Sequence, residues 1–306
     1  QKAKRKFVYP PKLIITVQGG IGTSEEADFL LQQYNIESTG WGTPFLLVPE
    51  ATTVDDETLK MLCAAKQEDV VLSKNSPFGI GFYYLKGTTA DKEKKARIAS
   101  GKPGSPCTEK HLAFNTEFTK EPICTASRKY QKLKITQLQS LDLPEPVYQK
   151  QLTEVLDKEC LCIGLSNAAA IKYSQTMVKN LTAVDICPGP NIANFSNVEK
   201  KKKMVNHIYG RENILTNAGR PHLFITELQL YINYLKEKLL EAAETGQLPG
   251  MKKYFATFFQ NIREGIFYYN TLSFLNPDTE KQFVNSLSNA KHEFEMLNFQ
   301  YSFINK

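Results

Sequence analysis

Two glycine turns, each following an apolar run, constrain this chain more than any other feature. Leu13-Ile14-Ile15-Thr16-Val17 is apolar and β-branched, the pattern of a strand buried on both faces. Gly19-Gly20 ends it and Gly22 follows. Thr23 or Ser24 is positioned to cap a helix, with Glu25 and Glu26 in its first turn, where carboxylates suit the helix dipole. Phe29, Leu30 and Gln33-Tyr34 carry the helical face. Gly40-Trp41-Gly42-Thr43 then makes the second turn, before the apolar run Phe45-Leu46-Leu47-Val48. The segment 13–51 therefore reads as strand, turn, helix, strand, turn.

Glycine lets backbone approach a ligand closely and tolerates positive φ. Consecutive N–H groups at a helix start form a seat for an anion. Gly19-Gly20-Ile21 and Gly42-Thr43-Pro44-Phe45 resemble the last two βα turns of phosphate-binding TIM barrels. The likeness is nearest to FMN-dependent barrels of the nitronate monooxygenase and enoyl-reductase type. The resemblance covers about residues 13–51. It implies FMN as cofactor, a flavin-dependent oxidoreductase acting on a small-molecule substrate, and Gly19, Gly20, Gly22, Gly42 and Thr43 as phosphate donors. Six further strands would have to precede this pair, so the resemblance also implies the C-terminal part of a longer protein. An upstream segment or a second copy would then complete the barrel. The bland alternative is an ordinary glycine-turned βαβ unit without a ligand.

The expected fold class is α/β plus α: the last βα units of a TIM-like barrel, a mixed cysteine-bearing lobe, and a C-terminal antiparallel helical bundle. Gly101-Lys102-Pro103-Gly104-Ser105-Pro106 is the most turn-rich stretch and suggests a boundary, giving parts 1–100, 101–199 and 200–306. Within the first part, Asp55 or Asp56 is placed to cap a helix over 57–66. Val70-Val71-Leu72 reads as a short strand. The loop Ser76–Phe82 has the composition to lie over a flat ring, and Thr88–Ser100 reads as a charged helix. Helices are expected over 128–141, 147–156 and 167–178, and a strand over 182–187. Beyond residue 200, three long helices with short loops suggest a bundle.

Five cysteines crowd the middle of the chain: Cys107, Cys124, Cys160, Cys162 and Cys187. Four sit in or beside turns with Pro, Gly or Ser, where backbone N–H groups point at sulfur. Four thiolates suit zinc or an iron–sulfur cluster, and Pro188 after Cys187 is compatible with the latter. No C-x-x-C pair occurs, so unligated thiols are the competing reading. Cys63 reads as a buried small residue.

The remaining features exclude more than they suggest. A net charge of +6 is mild, and the Lys-rich runs 92–97 and 199–203 contain acids, as solvated helix faces do. No basic–aromatic interleaving points to nucleic acid. No run of apolar residues is long enough to span a membrane. The N-terminal QKAKRKFVYPPK is basic but lacks the apolar core of a secretory signal, which with the free cysteines suggests a cytoplasmic protein. His111, His207, His222 and His292 have no metal-motif spacing, though His111 lies four residues from Cys107. Trp41 is expected to pack under its turn rather than stack on a ring. Two rivals to the flavoenzyme remain: a phosphoribosyl-transfer barrel using the same turns, and a non-catalytic, metal-stabilised helical interaction module.

Overall fold

A computed structural model describes residue 9 and residues 12–304. The basic N-terminal tail therefore lies outside the described residues, apart from Tyr9 and Lys12. The described residues are mostly helical, with two small sheets among them. β1 (Thr16–Gln18), α1 (Ser24–Tyr34) and β2 (Ser38–Gly40) form the expected βαβ unit, with Thr16 opposite Ser38 and Gln18 opposite Gly40 in parallel register. The Thr23 hydroxyl caps α1 by accepting from the Glu26 N–H at 3.1 Å.

One expectation fails here. The run leading into β1 is not buried: Leu13, Ile14 and Ile15 are 75%, 71% and 58% exposed. β1 has β2 as its one neighbour, so the sheet has two strands and nothing among the described residues confirms a barrel. An apolar strand sequence records that a strand is fit for burial. It does not record what covers it.

α2 (Asp56–Ala64) is capped by Asp55, which accepts from Thr58 N–H at 3.0 Å. β3 (Val70–Ser73) and β4 (Phe82–Leu85) make an antiparallel pair, and α3 (Thr89–Ala99) follows. The loop between the strands carries Phe78, stacked on Phe114 with ring centroids 4.8 Å apart. α4 (Arg128–Gln139) lies against α5 (Glu145–Leu156). α6 (Leu161–Lys172) begins six residues earlier than its alanines suggest. The expected strand over 182–187 is instead irregular backbone. Its Val184 and Ile186 carbonyls accept from the Ala90 and Leu85 N–H groups, while both side chains are buried. α7 (Lys201–Ile208) closes this part.

The apolar core here joins Leu47, Val54, Leu62 and Leu85 to Ile186, Ile192, Phe195, Met204 and Ile214. It crosses the boundaries expected at 100 and 199. Composition marks where a chain turns, and the two sides of a turn can still share one core.

α8 (Leu223–Glu244), α9 (Leu248–Tyr269) and α10 (Pro277–Gln300) form the expected bundle. Their buried residues recur at alternating three- and four-residue steps: Ile225, Leu228, Ile232, Leu235, Leu239; Phe255, Phe259, Ile262, Ile266; Phe283, Leu287, Ala290, Phe294, Leu297. That period places one apolar stripe along each helix. Full burial stabilises by roughly 1.5–3 kcal/mol for each large apolar side chain. Among the described residues, no helix is long and apolar enough to cross a membrane.

Candidate functional sites: a glycine corner and a cysteine corner

The parallel register sets the two glycine turns side by side at the C-terminal ends of β1 and β2. Gly19 and Gly20 have φ of +96° and +72°, a conformation that favours glycine. Gly19 and Gly42 open onto free space, and Gly42 precedes a 3-10 turn, Thr43–Leu47, that begins with Thr43. The Thr43 hydroxyl stands against Gly189, at 2.6 Å from where a Cβ there would be.

Gly22 differs from the other four expected donors. Its N–H donates to Glu26 Oε2 at 2.8 Å, so the start of α1 already holds an anion. Glu26 Oε1 accepts from Arg220 Nη1 and from Leu223 N–H, each at 2.6 Å. Arg220 also donates to the Gly20 carbonyl at 2.7 Å and to Asn191 Oδ1 at 3.0 Å. Its guanidinium lies where any side chain at position 22 would stand. Asn191 donates to the Ile21 carbonyl at 2.9 Å. His207 Nδ1 accepts from Ile214 N–H, which leaves Nε2–H to donate to the Gly22 carbonyl at 2.9 Å. Trp41 packs edge-on to that imidazole. Arg220, Asn191 and His207 were not legible as partners, since each lies more than 160 residues from the turn.

The second corner is built by a closed loop and two helix starts. Ser105 N–H donates to the Ala126 carbonyl at 2.8 Å, and Arg128 N–H to the Ser105 carbonyl at 2.9 Å. Asn115 and Ile123 exchange a further pair of backbone bonds. Only glycine suits position 104: φ is +84°, and a Cβ would meet the Arg128 nitrogen at 2.7 Å. This clasp fixes Cys107 and Cys124 near the N-terminus of α4. Cys160 is the N-cap residue of α6 and Cys162 its second residue.

Four of the five expected ligands come together there. The Cys160 and Cys162 sulfurs are 4.0 Å apart. Burial, with Cys162 and Cys107 alongside, pushes the Cys160 thiol up to about 12, and Cys107 engages it directly. The Cys124 thiol is raised by burial and by Cys162 and Cys107, and the nearby Ala126 and Ser127 N–H groups draw it only partly back. Cys187 is a correction to the expected set. It neighbours Asp185 and the Tyr83 backbone rather than the other thiols. Although its surface is exposed, packing beneath it and the Asp185 carboxylate push its thiol up to about 11. His111 contributes no described contact to the quartet. Among the described residues, no group of three or more His, Cys, Asp or Glu side chains is placed so that it could hold a metal ion. The thiols are gathered but not closed around a point.

Buried polar atoms without a partner cluster beside these thiols. They are Ser105 Oγ, Glu159 Oε1, Asp185 Oδ2, Gln131 Oε1 and both amide atoms of Asn75. The Ser105 hydroxyl is close enough to Cys160 to favour its thiolate, yet makes no well-formed hydrogen bond. Asn75 and Gln131 flank the segment entering α6: the Asn75 carbonyl accepts from Glu159 N–H, and Gln131 donates to the Lys158 carbonyl. Burial raises the Glu159 carboxyl despite Lys94 at 3.3 Å. Burial, then Glu159, pushes Asp185 up to about 7. For Lys94, burial opposes the charge, but Glu159 and Asp157 outweigh it and the net shift is upward. The sequence signal for these residues was a carboxylate set inside an apolar or cysteine-bearing run, as in Val184-Asp185-Ile186 and Glu159-Cys160.

No family model, no curated protein and no solved structure matches this chain.

Proposed function

We propose that this chain is organised around a four-thiolate metal centre held by Cys107, Cys124, Cys160 and Cys162. The observation that carries this reading is the convergence of these four thiols, from three separate segments, at the starts of α4 and α6. Burial raises the Cys160 and Cys124 thiols, so the charge that favours thiolate there would come from a bound cation, with the nearby backbone N–H groups adding to it. Two thiolates about 2.3 Å from one tetrahedral ion stand about 3.8 Å apart. The 4.0 Å between Cys160 and Cys162 supports a shared ion, either zinc or one iron of a cluster. Zinc would make the centre a staple of an interaction module. Iron would make it an electron carrier and keep the oxidoreductase class.

The test is metal analysis and an absorption spectrum on protein purified without oxygen, for the wild type and for Cys124→Ser and Cys160→Ser. The expected result is about one zinc, or a stoichiometric iron chromophore, per chain, with roughly tenfold less metal in each variant. Folded, metal-free wild type with four freely titrating thiols overturns the reading.

A second reading has its own support. The parallel register of β1 and β2 sets the open Gly19-Gly20 turn beside Gly42-Thr43. FMN held there by its phosphate, as in the barrels this segment resembles, would make the chain part of a flavin oxidoreductase. A phosphoribosyl substrate would use the same turns without colour. Titration with FMN separates them: yellow protein whose flavin is lost in Gly42→Val supports FMN, whereas no saturable quenching of flavin fluorescence rejects it.

A further inference from the structure

The clasp that carries Cys107 and Cys124, residues 105–127, is short of apolar core. Its buried side chains are Ser105, Ile123, Thr125 and Ala126, and only Ile123 and Ala126 are apolar. Among the described residues, the apolar clusters around Leu30, Leu47 and Ile232 take nothing from it. Thr125 Oγ1 donates to the Pro77 carbonyl at 2.6 Å and Phe114 stacks on Phe78. Otherwise the clasp meets the start of α6 at the thiols. A part of a chain that buries little apolar surface is the usual place for disulfide staples.

Four thiols can pair in three ways, and the structure favours one of them. Cys107 engages the Cys160 sulfur directly, where the Ser105 hydroxyl also approaches Cys160. That contact leaves Cys124 with Cys162, and Cys162 is the thiol that bears most strongly on Cys124. The Cys160 and Cys162 sulfurs are 4.0 Å apart, but they belong to the N-cap and the second residue of one helix. Residues two apart do not share a helix face. A bond between them would wring the first turn of α6, where Gly164 N–H donates to the Cys160 carbonyl at 3.0 Å.

We propose that the quartet is a redox-modification site, in which Cys107–Cys160 and Cys124–Cys162 disulfides form by exchange with a small-molecule disulfide such as oxidised glutathione and staple the clasp to α6. In each pair, one protein thiolate attacks the glutathione disulfide and expels a glutathione thiolate. The second protein thiol, once deprotonated, attacks the mixed disulfide and expels the other. Two protein thiols are oxidised, one disulfide is reduced, and both protons leave on glutathione. Burial, which raises Cys160 and Cys124, slows the exchange and suits an uncharged bridge. The inference rests on the same gathering of thiols as the metal reading and needs no ion. A bound ion would hold the thiols reduced, and oxidation would release it.

The test uses the full chain, reduced, half of it treated with EDTA. Both halves are exposed overnight to excess oxidised glutathione at pH 8, quenched in acid, alkylated and mapped by mass spectrometry. Cys107–Cys160 and Cys124–Cys162 peptides are expected, with release of any bound metal. The six free thiols should fall to Cys63 and Cys187 alone, with a loss of about 4 Da. Cys160→Ser should lose the first link and keep the second. In strong urea, where six thiols can pair in 15 ways, the links should scatter. Persistent glutathione adducts, a Cys160–Cys162 link, or no link in either half overturns the proposal. Metal content of the untreated half is read separately. Metal without these links overturns this inference alone, and links without metal overturn the metal reading alone.

Discussion

The glycine corner and the cysteine corner both gather polar groups at helix starts, and they resolve them in opposite ways. At the first, Glu26 supplies the anion that the start of α1 attracts, and Arg220 supplies the cation that balances it. Both side chains of this ion pair are less than a tenth exposed, and each is multiply hydrogen-bonded. At the second, amides, a hydroxyl and two carboxylates are buried around half-buried thiols, and several of those polar atoms have no partner among the described residues. A corner that satisfies itself needs no ligand to be stable. A corner that leaves buried groups unmatched gains from taking up a water or a ligand, because such groups cost free energy until they are matched. The difference is in the completeness of the bonding, not in how polar the residues are.

The comparison is most exposed at Glu26. Replacing it by Gln leaves a buried Arg220 without its counter-charge, a loss of roughly 3–5 kcal/mol. Urea unfolding of E26Q at pH 7 measures it. A loss under about 1 kcal/mol would mean that the pair is not what completes the corner. Asp185→Asn tests the other side and is expected to stabilise. A carboxyl whose folded pKa is raised binds its proton more tightly in the native state. Wild-type stability therefore falls as pH rises from about 4, the unfolded value, to about 7. The variant lacks this slope and should be more stable than wild type at pH 8 by a few kcal/mol at most, as read from unfolding midpoints at pH 5 and pH 8. A variant less stable than wild type at pH 8 would mean that the ionised carboxylate is already matched. The smallest effect is expected for Cys187→Ser, which should change neither metal content nor stability beyond about 0.5 kcal/mol. Loss of metal in that variant would return Cys187 to the ligand set.

Local chemistry was readable in the sequence and long-range partnership was not. Thr23 and Asp55 cap the helices their positions announce, and the three-and-four spacing of Phe255, Phe259, Ile262 and Ile266 specifies one helix face. These are facts about neighbours within a turn or two of helix. The thiol quartet draws on residues up to 55 positions apart (107 to 162) with no C-x-x-C unit, so spacing could not separate its members from Cys187. Glu26 was legible as a dipole-friendly carboxylate. Its role as the anion of the Gly22 turn depends on Arg220, 194 residues away. The exposed run Leu13–Ile15 marks the same limit from the other side, since burial is decided by a partner that periodicity does not name.

Helix α8 has a consequence for how the molecule comes apart. Its first residue, Leu223, belongs to the small apolar cluster of Ile21, Ala27, Leu30 and Ile36, while Ile225 onward belongs to the bundle core. The larger core around Leu47 and Met204 shares neither set of buried residues. Among the described residues, two separately filled interiors thus meet where a single rod changes allegiance within two residues, and a third lies apart from that junction. Heat need not melt them together. The bundle can hold its own structure after the cysteine-bearing part has opened, so a calorimetric trace would resolve into overlapping transitions, and no single melting temperature would describe the chain.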